Sequence, residues 1–295
     1  MNELELAKKR IDREVRLEKY QGADRVILAQ DKWEQIQEER KFKPKFIANT
    51  GITSLDSCVE GFRKGQLIVL SGPPKQGKSG VCQTFTKNFV SEGKKCTWFS
   101  YELSYEELFD KFPMDKLDFY VPNYMESGNL EWVEDRIIES KEKFGTEIVF
   151  IDHLDFLRDP EILKGVNLNT ASYIGGIVQK VKRIAVENEM LIFLMSHIRK
   201  NKWTTNELPS SEELRDSGQI AQLADIVLMV IRKRADKSSE EVYVGTEAIL
   251  GVMENRHNGK TKKIEIFLDG KEFRENYSPT IIKSKRQKAE EEIDF

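Results

Sequence analysis

The chain is poor in cysteine and histidine, carries no net positive charge and has no long apolar run. Its three cysteines, Cys58, Cys82 and Cys96, fall in no CxxC spacing, and three cannot all pair. Reduced thiols are therefore expected, which suits a cytoplasmic protein. The three histidines, His153, His197 and His257, are far apart and form no zinc-ligand pattern. No stretch of about 18 apolar residues occurs, so no membrane-spanning helix is expected. Met1-Asn2-Glu3 opens an acidic, polar N-terminus unlike a secretory signal. Net charge is −3, so bulk charge gives no support to a nucleic-acid-coating protein, which is usually basic.

What is present is a core under a charged surface. Of 295 residues, 39% are hydrophobic and 33% charged, enough for one large domain with arms or at most two domains. Residues 1–45 mix both charge signs densely. Leu4, Ala7, Ile11 and Val15 recur at helical spacing, Trp33 and Ile36 suggest a second short amphipathic piece, and Pro44 interrupts. A helical arm outside the core and a solvated tail both fit this segment.

From about residue 50 to 275, short apolar runs alternate with helical stretches. The runs are Leu67–Leu70, Thr97–Phe99, Ile148–Ile151, Leu191–Met195, Ile226–Ile231 and Ile249–Val252. Continuous rather than alternating apolar runs indicate strands buried on both faces. Strands alternating with helices predict an α/β fold with a largely parallel sheet, whose ligands sit beyond the carboxyl ends of the strands. Later, Val252–Glu254, Asn258-Gly259 and Ile264–Ile266 predict a hairpin. A core domain over 46–280 and a disordered, basic then acidic tail over 281–295 complete the expected layout. No internal repeat is seen.

Gly72-Pro73-Pro74-Lys75-Gln76-Gly77-Lys78-Ser79 fits G-x-x-x-x-G-K-[ST]. It follows a predicted strand and precedes a predicted helix over Ser79–Val90, the context the motif requires. Glycines let the backbone curl so that amides face phosphate oxygens, and the helix N-terminus adds partial positive charge. Pro73 and Pro74 lack N–H groups, so the amide cradle starts at Lys75. Lys78 is expected at the β- and γ-phosphates of ATP or another nucleoside triphosphate, and the Ser79 hydroxyl on Mg²⁺.

Four more positions follow from strand ends. Asp152 closes Ile148–Ile151, where a carboxylate can hold Mg²⁺; capping a turn is the plainer role. Glu102 follows Thr97–Tyr101 and is placed to activate a water, although a glutamate after a strand is usually only solvated. His197 ends Leu191–Ser196 and could hydrogen-bond a γ-phosphate, or be structural. Arg256, before the hairpin turn, could reach a neighbouring subunit's phosphate as an arginine finger, or be a surface charge.

Together these residues form a series that resembles the C-terminal motor domain of DnaB-type replicative helicases and the helicase half of phage primase-helicases. The likeness runs from about Thr50 to Tyr277. It opens with Thr50-Gly51-Ile52-Thr53-Ser54-Leu55-Asp56, Gly61-Phe62 and Gly65-Gln66-Leu67, and continues through the phosphate loop. Phe99–Ser104 looks like the stretch carrying the family's catalytic glutamate, which implies that role for Glu102. Ile151–Leu154 matches the magnesium-aspartate segment, and Ser196-His197 falls where the family has its phosphate sensor. The resemblance implies a RecA-like P-loop NTPase core and ATP hydrolysis with Mg²⁺. It also implies a homo-oligomeric ring, expected to be a hexamer with nucleotides at subunit interfaces, and 5′ to 3′ movement on single-stranded DNA.

The most specific stretch is Glu213–Ile220, continuing through Gln222 and Ala224–Val227. It is similar to the family loop that holds single-stranded DNA, which implies that Arg215, Asp216 and Gly218 lie against the DNA backbone. Arg199, Lys200 and Lys202, with Trp203, suit a DNA-facing element; a solvated loop fits them equally. The family's lysine two residues before the finger is Glu254 here, with Lys260 the candidate substitute. The family's N-terminal domain and any primase domain have no counterpart, which suits a phage or plasmid replication protein, active in the bacterial or host cytoplasm. The arm over 1–45 corresponds to the family's linker helix. Glu290–Phe295 resembles tails by which replication proteins dock partners such as a primase, polymerase or single-strand-binding protein; a solubilising end is the alternative. Two rival readings remain, a RecA- or RadA-like recombination ATPase and a nucleotide-switched replisome scaffold. The Leu214–Gly218 form argues against the first, and Lys78 with Glu102 against the second.

Overall fold

The computed structural model describes residues 3–42, 48–114, 116–158, 170–197, 208, 222–233 and 246–275. The chain divides into two compact units, Met1–Phe46 and Ile47–Phe295. The first holds helices α1 (Glu3–Glu18) and α2 (Ala29–Phe42). Arg10 and Glu14 pair at 3.1 Å along α1, and on α2 the Arg40 guanidinium lies 5.5 Å from the Trp33 ring centroid. Such pairs add only tenths of a kcal/mol each. Ile11 and Val15, on the expected helical stripe, are exposed, as are Leu28 and Trp33. Pro44 lies outside the described residues.

The second unit is built on one sheet. Its strands are β1 (Leu67–Gly72), β2 (Cys96–Ser100), β3 (Ile148–Asp152), β4 (Leu191–His197), β5 (Ile226–Arg232), β6 (Thr246–Asn255), β7 (Lys262–Asp269) and β8 (Glu272–Glu275). Their order is β2-β3-β4-β1-β5-β6-β7-β8. The five strands from β2 to β5 in that order are parallel, and the last three run antiparallel. All six apolar runs of the sequence lie in strands, and the expected hairpin is β6–β7.

Burial on both faces explains why those runs are continuous. Leu67, Val69, Phe99, Val149, Ile151, Ile192 and Leu194 face one side. There they pack with Val133 and Ile137 of α6 (Leu130–Phe144) and with Val178, Val181 and Ile184 of α7 (Thr170–Glu187). The alternate residues Trp98, Phe150 and Phe193 face the other side, against Phe85 and Phe89 of α4 (Lys78–Ser91). Local signals set helix ends. Ser104 and Glu107 form a capping box at α5 (Tyr105–Lys111), and the Asn129 side chain accepts from the Glu131 and Trp132 amides at the start of α6. Two elements had no expectation, the short helix α3 (Thr53–Val59) and β8. Asp269-Gly270, the two-residue turn into β8, is a hairpin signal. Among the described residues, no helix is long and apolar enough to cross a membrane.

Phe193 anchors the aromatic layer, with ring centroids of Phe62, Phe85, Phe89 and Phe150 at 5.3, 5.9, 5.9 and 4.9 Å. Phe193→Ala is expected to cost about 3–5 kcal/mol through the cavity it leaves. The midpoint of urea unfolding measures this, and an unchanged midpoint would contradict the packing described.

Candidate active site

The site forms where β1 hands the chain to α4. At Gly72 the backbone adopts φ 151°, and an added Cβ would lie 2.5 Å from the Val230 carbonyl oxygen, so only glycine fits. After Pro73 and Pro74, Lys75 (φ 64°) and Gly77 (φ 95°) turn the loop in the left-handed region. This curl and the start of α4 aim backbone amides into one cavity of about 390 Å³. Lys75, Gln76, Gly77, Lys78 and Ser79 line it; Gly72, Pro73 and Pro74 form the limb that rises to it.

Lys78 is 5% exposed. Its ammonium donates to the carbonyls of Gly72 (3.1 Å) and Pro73 (3.0 Å) and to His197 Nδ1 (2.9 Å). Burial lowers its pKa, and the Asp152 and Glu102 carboxylates oppose that shift. Ser79 Oγ donates to Asp152 Oδ2 at 2.7 Å. Asp152 is fully buried, and its Oδ1 has no protein partner. Burial pushes its pKa up to about 6, with Glu102 adding to the shift while Ser79 and Lys78 oppose it. A buried bare carboxylate oxygen beside a hydroxyl is a donor set that suits a hard divalent cation such as Mg²⁺.

Glu102 sits on the turn after β2. That turn is tied to β3 by Tyr101 N donating to the Asp152 carbonyl at 2.8 Å, and is closed by Ser100 Oγ donating to the Leu103 carbonyl at 2.9 Å. His197 ends β4, in register with Gly72. Burial and the Lys78 charge lower its pKa. Lys78, Ser79, Glu102 and His197 thus meet at the cavity, with Asp152 behind Ser79. Arg256 is not among its lining residues. Its amide donates to the Asp225 carbonyl at 2.9 Å, and its guanidinium bonds the Gln222 carbonyl. Lys260, beyond the turn, is tied to Glu60 at 2.9 Å. Arg199, Lys200, Lys202, Arg215, Asp216, Gly218 and the tail over 281–295 lie outside the described residues.

Three further side chains belong to this site. His153, after β3, sets its ring 4.3 Å from that of His197. Burial lowers the pKa of His153, and His197 adds to the shift. Arg232, ending β5, donates its backbone amide to Gln76 Oε1 (2.7 Å) and holds its guanidinium over the Phe273 ring (6.0 Å) at the cavity wall. Arg232 closes an apolar run as Asp152 and His197 do, and that signal could have found it. Phe273, on the unexpected β8, carried none. Glu102, His153 and His197 bring ligand atoms within 4.8 Å of one another. The Lys78 ammonium beside His197 opposes a second cation there, and both imidazoles already spend one nitrogen on protein hydrogen bonds.

A family model described as "DnaB-like helicase C terminal domain" matches residues 48–135 and 113–275. The chain belongs to the DnaB-like helicase C-terminal domain family. This DnaB-like chain is 25% identical over 283 residues to a "Probable replicative DNA helicase" of Trieres chinensis, covering 83% of the chain and 61% of that protein. It is 26% identical over 240 residues to a "Probable plasmid replicative DNA helicase" of Chlamydia psittaci, covering 70% and 51%. The chain therefore spans only part of the length of these relatives. Among solved structures, the ATPase domain of a phage helicase superposes with a TM-score of 0.65 at 20% identity, covering 85% of the chain and 99% of that one. "The Structure Of A DnaB-Like Replicative Helicase And Its Interactions With Primase" gives 0.64 at 20% identity, covering 84% and 68%. These likenesses establish the RecA-like α/β fold that the sequence predicted.

Asp152 makes stability depend on pH with a definite sign. Its folded pKa of about 6 stands above the ordinary 3.8. Between those values the folded state holds a proton that the unfolded chain has lost. The contribution is thus fully present below pH 3.8 and is lost as pH rises through about 6. Asp152→Asn, which keeps an acceptor for Ser79, is expected to raise the stability of metal-free, nucleotide-free protein at pH 8 by up to roughly 3 kcal/mol. The gain should shrink by about half at pH 5. Equal gains at both pH values, or no gain at pH 8, would contradict the buried-charge account.

Proposed function

We propose that this chain is the ATP-hydrolysing motor of a replicative DNA helicase, acting as a homo-oligomeric ring, with six subunits as the expected number. The observation that carries the reading is the meeting of Lys78, Ser79, Asp152, Glu102 and His197 at the carboxyl ends of neighbouring parallel strands. Family membership and the names of the relatives support it.

Each side chain then has a task. The amides from Lys75 to Ser79, at the start of α4, bind the phosphates of ATP. Lys78 exchanges its bonds to the Gly72 and Pro73 carbonyls for the β- and γ-phosphate oxygens. Arg232 and Phe273 flank room for the base, and their aromatic and cationic faces suit stacking. Ser79 Oγ and Asp152 Oδ1 would hold Mg²⁺, which when bound neutralises charge on the phosphate oxygens. Glu102 takes a proton from the attacking water as its oxygen bonds the γ-phosphorus, and the bond to the bridging oxygen breaks with its electron pair leaving on ADP. His197, already against Lys78, is placed to exchange that contact for the γ-phosphate and so to report its loss.

Arg256 lies away from this chain's own cavity, which suits a finger that serves the next subunit's nucleotide. Arg215, Asp216 and Gly218 form the proposed DNA loop, with Arg199, Lys200 and Lys202 nearby. Binding through phosphate contacts would show little sequence preference and steep salt dependence. The arm over 1–45 is proposed to link subunits, and the tail ending at Phe295 to dock a primase, polymerase or single-strand-binding protein. Movement is proposed to run 5′ to 3′, in the cytoplasm.

Strand displacement on a forked duplex with ATP and Mg²⁺ tests the reading. Wild type is expected to unwind, whereas Glu102→Gln should not. Arg256→Ala should lose DNA-stimulated hydrolysis by roughly 10³-fold. Hydrolysis indifferent to DNA would favour a nucleotide-switched scaffold, and filaments rather than rings in negative stain would favour a recombination ATPase. Full activity of Arg256→Ala would remove the finger assignment.

A further inference from the structure

We propose that His153 is a positioning residue for Glu102: its ring presents a fixed Nε2–H donor to the carboxylate that activates water. The inference rests on the reading of Glu102 as the general base.

Hydrogen bonding assigns the tautomer. His153 caps the 3-10 turn Leu154–Leu157, and its Nδ1 accepts the Asp155 amide at 3.1 Å. A ring nitrogen whose lone pair takes an N–H carries no proton, so in the neutral ring the proton is on Nε2. The Asp155 carboxylate, 3.5 Å from Nδ1, is held by Arg158 and does not displace that bond. The ring is fixed in place, edge to face with Phe156 at 5.1 Å and with His197 at 4.3 Å. Its side chain is only 8% exposed.

The proton-bearing nitrogen faces one group. His153 Nε2 lies 3.9 Å from Glu102 Oε2, a small side-chain rotation short of a hydrogen bond. Glu102 is 46% exposed, and among the described residues no other side chain lies within ion-pairing distance of its carboxylate. A solvated glutamate samples many rotamers, and a misplacement of about 1 Å at a reacting centre can cost about 10²-fold in rate. A rigid donor selects one rotamer. His197 has the same tautomer for a different reason, since its Nδ1 accepts from Lys78. The two imidazoles thus divide the work, one holding the phosphate-binding lysine and the other the base.

Two substitutions separate positioning from turn capping. Asn at 153 puts an acceptor where Nδ1 was and keeps the cap, but loses the donor towards Glu102. Gln at 153 puts an amide N–H near the old Nε2 and loses the cap. Steady-state ATP hydrolysis is measured for both, with melting temperature and binding of a fluorescent ATP analogue as controls. His153→Asn is expected to keep its melting temperature, analogue affinity and KM while kcat falls about 10- to 100-fold. His153→Gln should recover most of kcat. Added to Glu102→Gln, His153→Asn should cause no further loss of residual hydrolysis. Wild-type kcat in His153→Asn, equal loss in Asn and Gln, or full additivity with Glu102→Gln would each overturn the proposal. Wild-type hydrolysis by Glu102→Gln would remove the base itself and this proposal with it, whereas inactivity of Glu102→Gln beside an active His153→Asn would overturn the positioning role alone.

Discussion

Burying a carboxylate with one oxygen bare costs several kcal/mol, and the sheet puts such a group at Asp152. Its other oxygen is held by the Ser79 hydroxyl, so the cost is only partly relieved within the protein. The raised pKa of Asp152 expresses the same cost in another form. A site that stores an unmet demand for positive charge, next to amides and an ammonium that want negative charge, is arranged for a metal–phosphate pair. The rest of the unit keeps Asp152 in that state. Strands β2 and β4 flank β3, the aromatic layer under Phe150 excludes water, and the phosphate loop closes the open end.

Parallel strands make this convergence possible. Each strand ends on the same edge, so Gly72, Ser100, Asp152 and His197 arrive there from four separate parts of the chain. The antiparallel strands do different work. β6 and β7 carry Arg256 at the turn between them, and β8 brings Phe273 back to the loop, where its ring meets Arg232 and crowds Gly77. Asp225 ties these regions together. Its carboxylate accepts from Leu67 N (2.7 Å) and Lys182 (2.6 Å), and its carbonyl accepts from Arg256 N. The position of the candidate finger is thus set by the start of the strand that bears the phosphate loop.

What could be read from sequence divides along physical lines. Strands buried on both faces show up as unbroken apolar runs, so the parallel core was legible from β1 to β5. The loop from Gly72 to Ser79 was legible because phosphate binding needs glycine at fixed spacing and a lysine and hydroxyl just inside a helix. The short helix α3 was not, because Thr53–Val59 makes barely two turns and is held by tertiary contacts, including Asp56 accepting from the Thr50 and Gly51 amides. Strand β8 was missed although Asp269-Gly270 marks its turn, since four residues give no periodicity. At the site, single residues at strand ends were ambiguous until resemblance gave them roles. Contacts between distant segments, such as His153 on His197 and Gln76 on Arg232, leave no mark on local sequence.

The central claim is that the buried cluster around Lys78 hydrolyses a nucleotide. The most direct measurement is steady-state ATP hydrolysis by Lys78→Ala with Mg²⁺ and single-stranded DNA, alongside circular dichroism to confirm the fold. The account predicts a folded protein whose rate falls by at least about 10²-fold, because the loss removes a charge made for the transferring phosphate. A folded Lys78→Ala protein that hydrolyses ATP at the wild-type rate would contradict it.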